Sequence, residues 1–560
     1  MERPLNILWQ KDGSADLYID IFDIRVHVIP LNAAKKIVDD LFEATKAAKF
    51  QKNNLHANYI REQGNALFRQ KKYHEAMELY NLATTFATHE SKEFGLALSN
   101  RASCFFHLNM MKNCLTDINL AKQTQYPSDK LQKLNGRQIK CTNLMADVNF
   151  KSGPHYVWEP KLSFNEHSEF VGVADCLKIM KNNEFGRHVI ATCNLNIGQT
   201  ILIEHPYAAT PPRENEGRTR CWYCFKECMN FIPCKDCICM MFCNEECLEK
   251  SYHKMECNRP AGLSRMESFE LVMRMIFRMN ADFPDVDALM DVVQLLINGK
   301  KFPNILTASQ KDFCSIVQLV HNHEKLTGHL LKRMRAATSI IILTAMRFPE
   351  FKRKYVTLRH QRFLQHLILH LFHVAEHAYE LYEYHQEDKN ATLIHNELRH
   401  FARGMYPFGC FINHSCVPNV CWFNVDGRLI CKVIRSIKKG DQIFRSYLPG
   451  QSAYKRLPEL KQNMKQRFQL ECSCIVCTSD DWSLLTNEVN FSDDILYGLG
   501  IQPSGMTIEM LRNAPRSLIQ EYEKKAIEFL LKYERFHPVN DTVGMQNNLQ
   551  IMWNVLASPF

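Results

Sequence analysis

The sequence contains no run of about 18 apolar residues, the length a helix needs to cross a bilayer. Its richest helical stretch, Phe363 to Tyr384, is interrupted by His366, His370, His373 and His377. A helical membrane span is therefore not expected. The first residues, MERPLNILWQKDG, lack a long apolar core and a small-residue cleavage site, so no secretory signal is expected either. There is no dense block of lysine and arginine, although the formal net charge is +9. Charge alone thus gives little reason to expect direct nucleic-acid binding. An intracellular home is expected instead, in cytoplasm and nucleus. In that reducing setting 22 cysteines point to metal or free thiols, not to disulfides.

What the chain does contain is enough for several globular domains. Its 560 residues suggest three or four, and 46% hydrophobic with 23% charged residues is an ordinary soluble composition. Residues 1–54 stay unassigned, because DLYIDIFDIRVHVIP fits a strand or a short helix equally well. From Tyr59 a repeat emerges over residues 55–150. Gly64 and Ala102, Ala76 and Cys114, Tyr80 and Ile118, and Ala83 and Ala121 are each 38 residues apart. Small residues recurring in register allow antiparallel helices to approach closely, which resembles a tetratricopeptide repeat with a lengthened connection. A third, weaker pair is expected near Leu131, with Gly136 in it. Such an arm presents a concave surface suited to peptides or protein tails, and it should be separable from the rest.

Residues 182–208, NNEFGRHVIATCNLNIGQTILIEHPYA, alternate, with Gly186 and Gly198 as punctuation, and read as two or three short strands joined by tight turns. Four ligand pairs follow within 37 residues: Cys221 and Cys224, Cys234 and Cys237, Cys243 and Cys247, His253 and Cys257. Each spacing lets a tight turn or one helical turn grip a tetrahedral ion, so eight ligands imply two Zn²⁺. Spacing does not say which pairs share an ion. Residues 258–400 carry helical periodicity, and the histidines of Phe363–Tyr384 read as satisfied or surface side chains, since no metalloprotease pattern accompanies them.

Residues 409–420, GCFINHSCVPNV, place Asn413, His414 and Cys416 side by side in an apolar neighbourhood. Downstream, Cys472, Cys474 and Cys477 supply three thiolates, and a structural Zn²⁺ takes four ligands, so Cys416 is the expected fourth. In all, eleven thiolates subtract eleven charges and three divalent ions return six, which would leave +4 of the formal +9.

The eight-ligand block resembles a MYND zinc finger. GMYPFGCFINHSCVPNV, with GDQIFRSY and CSCIVC, resembles the SET domain of protein-lysine methyltransferases. Their order resembles the SET and MYND domain family, and the added arm is most similar to its tetratricopeptide-bearing branch. The resemblance implies an α+β multidomain protein. Its SET β-fold would begin with an N-terminal SET half (170–215), be split by the finger (221–257) and a helical insert (258–400), and continue with a catalytic SET half (401–450), a post-SET zinc segment (451–480) and a small helical C-terminal region (481–560). It implies that Cys221, Cys224, Cys243 and Cys247 share one ion and Cys234, Cys237, His253 and Cys257 the other, both closed structural sites.

It also implies methyl transfer from S-adenosylmethionine to a lysine of a histone or non-histone protein. Phe185, Gly186 and Arg187 would line the cofactor through backbone groups. Asn413 and His414 would hydrogen-bond it. Asn390 would be a further contact, with a one-residue slip in alignment. Tyr447 would stand where the methyl passes to the amine. Phe468 and Leu470 replace an aromatic pair usual in the family: Phe468 lacks a hydroxyl, and Leu470 lacks a face to stack on adenine. The competing expectation is a catalytically weak SET scaffold that recruits protein partners through the arm and the finger.

Overall fold

The computed structural model describes chiefly residues 51–147, 158–211, 220–257 without 239 and 252, 268–298, 305–319, 328–385, 397–447, parts of 462–479, and 514–557. Asn390 and most of residues 1–54 lie outside the described residues. The chain divides into two units, one of residues 37–157 with 213–265, the other chiefly of residues 158–212 with 266–558.

The first unit begins with five helices: α1 (Asn54–Arg69), α2 (Tyr73–Phe86), α3 (Lys92–His107), α4 (Met111–Lys122) and α5 (Ser128–Ala146). Side-chain caps start two of them: the Asn53 carboxamide accepts from the His56 N–H, and the Ser91 hydroxyl from the Phe94 N–H. The repeat positions are where the helices cross. Ala76, Tyr80, Ala83, Ala102, Cys114, Ile118 and Ala121 are all buried. A Cβ at Gly64 would stand 2.6 Å from the Tyr80 ring, so only glycine lets α1 pack against that side chain. Gly136 differs: a Cβ there would meet nothing within 4 Å, so it is not a close-approach residue. Leu134 and Cys141 anchor α5 instead, both buried.

The finger belongs to this same unit. It contains the pair β5 (Ile232–Pro233) and β6 (Met241–Phe242), and the short helix α6 (Glu245–Lys250), which follows the four strands introduced below. A buried polar network joins it to the arm. Arg101 on α3 makes two bonds of 2.7 Å to Asp117 on α4, and also donates to the Asn81 side chain and, at 3.2 Å, to the Phe231 carbonyl. Asn230 donates to Asp117 at 2.7 Å and to the Asn113 carbonyl at 3.1 Å. Cutting between arm and finger would strip the Asn230 and Phe231 partners from a fully buried ion pair, a cost that the expected separability of the arm would have to meet.

The second unit is built on short sheets. Strands β1 (Leu177–Asn182) and β2 (Gly186–Ala191) form an antiparallel pair. β3 (Thr200–Glu204) joins an antiparallel sheet with β11 (Arg428–Val433) and β10 (Val420–Val425). β4 (Ala208–Thr210) joins β8 (Glu397–Met405) and β7 (Tyr379–His385). Two residues of β9 (Asn413–His414) run parallel to β12 (Phe444–Arg445). Between these strand segments lies the helical insert, α7 (Phe269–Asp282), α8 (Val286–Ile297), α9 (Ala308–Val317), α10 (Gly328–Ala345), α11 (Pro349–Lys354) and α12 (Leu358–Val374). His370 on α12 is buried, its Nε2 2.8 Å from the Val317 carbonyl. None of the four histidines of that stretch joins a metal-ligating cluster among the described residues.

The C-terminal helices α13 (Arg516–Lys532) and α14 (Asn540–Ala557) close one sheet face. Phe529, Leu549, Met552 and Trp553 form one core with Cys421, Phe423 and Ile430 of β10 and β11. Gln550 donates to the Trp422 carbonyl at 2.9 Å, which fixes the helix against the middle of β10. The α+β expectation therefore holds, with the helices of the arm, the insert and the C-terminal region set around the short sheets in chain order.

Candidate functional site

The turn that carries Asn413 and His414 is fixed from below. Glu204, at the end of β3, is buried, and its carboxyl group accepts from the N–H groups of Phe408 at 2.6 Å and Gly409 at 2.9 Å. These amides open the 3₁₀ turn Gly409–Phe411. Burial pushes the Glu204 carboxyl up to about 8, against the opposing pull of those two amide bonds. The Gly409 carbonyl accepts from the Tyr379 hydroxyl at 2.7 Å.

Beyond the turn, two chain segments interlock. The Ser415 N–H donates to the Arg445 carbonyl at 3.0 Å, and the Asn419 N–H to the Phe444 carbonyl at 3.1 Å. Asn419 is buried, accepts from the Phe444 N–H at 2.7 Å and donates to the Gln442 carbonyl at 2.8 Å. These bonds hold the parallel register that sets His414 against Arg445.

Distant motif residues meet around this crossing. Asn413 Nδ2 donates to the Phe185 carbonyl at 3.1 Å. Gly186 follows with φ of +63°, a left-handed backbone that glycine adopts without strain. Arg187 donates to the Gln318 side chain at 2.7 Å and lies 6.0 Å from the Phe411 ring. The Tyr447 N–H donates to His414 Nδ1 at 3.1 Å, which leaves Nε2 facing the Cys416 sulfur 3.5 Å away. The ring centroids of His414 and Tyr447 are 5.2 Å apart, and those of Tyr447 and Phe468 are 5.1 Å apart. Burial raises the Tyr447 hydroxyl above its ordinary value, with Arg445 opposing. Leu470 is half-buried, its N–H bonded to the Met464 carbonyl at 3.2 Å.

Three tetrads are positioned for metal ions: Cys221, Cys224, Cys243 and Cys247; Cys234, Cys237, His253 and Cys257; Cys416, Cys472, Cys474 and Cys477. Within each, the four donor atoms lie within 4.8 Å of one another. Tetrahedral Zn–S bonds of about 2.3 Å separate neighbouring sulfurs by about 3.8 Å. Here Cys224 and Cys243 are 3.7 Å apart, Cys416 and Cys477 3.6 Å, and Cys416 and Cys472 3.9 Å. Soft donors, their number and these sulfur separations fit closed zinc sites; in the second tetrad Cys234 and Cys257 are 3.9 Å apart, and His253 Nε2 lies 3.7 Å from Cys237 and 2.7 Å from Cys234. The third tetrad also reaches the turn beside His414, through Cys416.

Reasoning from sequence passed over Glu204, Tyr379, Asn419 and Arg445. Asn419 stood inside the quoted motif, and only its two-sided bonding to residues 442 and 444 reveals what it does. Glu204 and Tyr379 carry no local pattern, and Arg445 stood inside GDQIFRSY without a spacing that marks it.

Comparison with known proteins places a SET domain at residues 186–448. Over 84% of this chain and 72% of the relative, the sequence is 20% identical to "Protein-lysine N-methyltransferase SMYD4" of Mus musculus. It is 22% identical to "Histone-lysine N-methyltransferase ASHR1" of Arabidopsis thaliana over 54% of this chain and 55% of the relative. With "N-lysine methyltransferase SMYD2" of Homo sapiens it shares 20% over 60% of this chain and 67% of the relative.

Proposed function

We propose that this chain, which carries a SET domain and is a member of the SET and MYND family by our reading, transfers a methyl group from S-adenosylmethionine to a lysine side chain of a protein. The observation that carries this reading is the convergence of Phe185, Asn413, His414 and Tyr447 from three separate segments onto one crossing of β9 and β12.

S-adenosylmethionine, when bound, supplies an electrophilic methyl, so the reaction needs no metal at its centre. The chain must hold donor and amine in line and keep the amine neutral. Lysine has a reference pKa of about 10.4, and an apolar channel lowers it by disfavouring the ammonium. The Tyr447 hydroxyl orients the amine through its lone pairs. His414, whose Nδ1 is occupied by the Tyr447 backbone, ties the position of that tyrosine to the Asn413 segment. Asn413 and the Phe185–Arg187 turn form the cofactor wall. The three tetrads hold Zn²⁺ as structural ions, the third pinning the post-SET segment beside the turn. The arm and finger, one unit in the fold, serve as the recruiting surface for protein partners.

Phe468 favours a second reading, since it sets a ring without a hydroxyl against Tyr447. A weak or silent SET scaffold would share this fold and differ in cofactor affinity. Isothermal titration with S-adenosylmethionine separates the two. Micromolar binding that is lost in Asn413→Ala supports the enzyme; no binding by the zinc-loaded protein supports the scaffold.

A further inference from the structure

Arg445 is buried at 4% exposure, and its Nε has no hydrogen-bond partner among the described residues. Its guanidinium carbon lies 3.6 Å from the centroid of the Tyr379 ring and 4.3 Å from that of Tyr447. The cation is therefore clamped between two aromatic rings. Tyr379 cannot move to relieve it. That residue is fully buried, its hydroxyl is bonded to the Gly409 carbonyl, and Tyr406 and Trp422 pack edge-on at 5.4 and 5.3 Å. The column thus runs from a fixed tyrosine, through a fixed charge, to the tyrosine at the proposed site.

We propose that Arg445 is a positioning residue for methyl transfer: held by Tyr379, it sets the plane of the Tyr447 ring and keeps a permanent positive charge beside the path of the incoming amine. The proposal rests on the methyltransferase reading and on Tyr447 as its centre. A cation next to a primary amine favours the neutral, nucleophilic form. Cation–π attraction gives the same residue its grip on the ring. Arginine suits both tasks, being planar and permanently charged.

The titratable groups set against this column are His414 on β9, Tyr406 just after β8, Cys410 in the 3₁₀ turn, Glu204 on β3 and Cys431 on β11. Glu204 is the carboxyl group among them, and it is committed to two backbone amides. Burial holds both thiols above their ordinary value. Arg445 is thus the permanent charge among these groups.

The test uses the full zinc-loaded chain and an array of lysine-containing peptides, the best of which serves as the probe. At saturating peptide, the ascending limb of kcat against pH reports the bound amine. Arg445→Gln should move that limb up by about one pH unit and lower the plateau several-fold. Arg445→Lys, which keeps a charge, should leave the limb in place. Arg445→Met is the second neutral variant should the glutamine chain fail to fold, and S-adenosylmethionine affinity checks that each variant is folded. A limb unmoved in folded neutral variants overturns the proposal and leaves the enzyme reading intact. No methylation anywhere on the array by the unmodified chain overturns the enzyme reading, and the proposal with it.

Discussion

Glu204 is the residue on which the turn depends, and its chemistry has a consequence in pH. Its carboxyl is held up to about 8 in the fold, against an ordinary value near 4.5. A carboxyl raised by folding contributes its stability fully below the unfolded value and loses it as pH rises through the folded one. Stability should therefore fall between about pH 4.5 and 8 for this group. Glu204→Gln cannot ionise, and its carbonyl still accepts from one of the two amides. Its unfolding midpoint in urea should be lower than that of the unmodified protein at pH 5 and should close on it, or pass it, by pH 9. Parallel pH curves for the two proteins would remove Glu204 from the explanation. Asn413, His414, Cys416 and Tyr447 were legible in the sequence because they sit in short contiguous patterns. Glu204 was not, because its partners Phe408 and Gly409 lie 204 and 205 residues away. Arg445 was hidden for a related reason: it stands two residues before Tyr447, but its cover, Tyr379, lies far away in the sequence.

At the level of elements, the helical pairs announced themselves through the 38-residue register, since close crossings demand small side chains and α1 to α4 supply them. The union of arm and finger did not. It depends on Arg101, Asp117 and Asn230, three ordinary polar residues whose burial only the fold reveals. Removing one member of a buried pair leaves the other charge uncompensated, at a cost of about 3–5 kcal/mol. Asp117→Ala should lower the stability of this unit by that amount in urea unfolding, and Arg101→Met with Asp117→Leu by clearly less. Equal losses would mean the pair is not held as described. The third tetrad joins elements in the same way. The protein should carry three zinc ions, and Cys416→Ser should carry two while losing stability, because metal-binding free energy at such sites is folding free energy. Atomic absorption on both proteins checks the count; an unchanged count would take Cys416 out of the site.

At the scale of the whole molecule, one unit gathers arm and finger and the other gathers the strands, the insert and the C-terminal helices. That division follows packing and not chain order, since each unit is assembled from separate stretches of the sequence. Phe468 packs against Tyr447, and Leu470 stands two residues before Cys472 of the third tetrad. Leu470→Phe should tighten S-adenosylmethionine several-fold, if an aromatic face there stacks on adenine as bases stack on aromatics at about 1–3 kcal/mol; calorimetry showing no change would place Leu470 off the cofactor. The most direct measurement is transfer of a tritiated methyl from S-adenosylmethionine to peptide lysine by the full zinc-loaded chain, beside Tyr447→Phe. The unmodified chain should label lysine, and the variant should bind the cofactor equally well while labelling roughly a hundredfold more slowly, the scale on which misplaced reacting groups are penalised. Equal labelling by both, or none by a chain that binds the cofactor, would contradict a lysine methyltransferase centred on Tyr447.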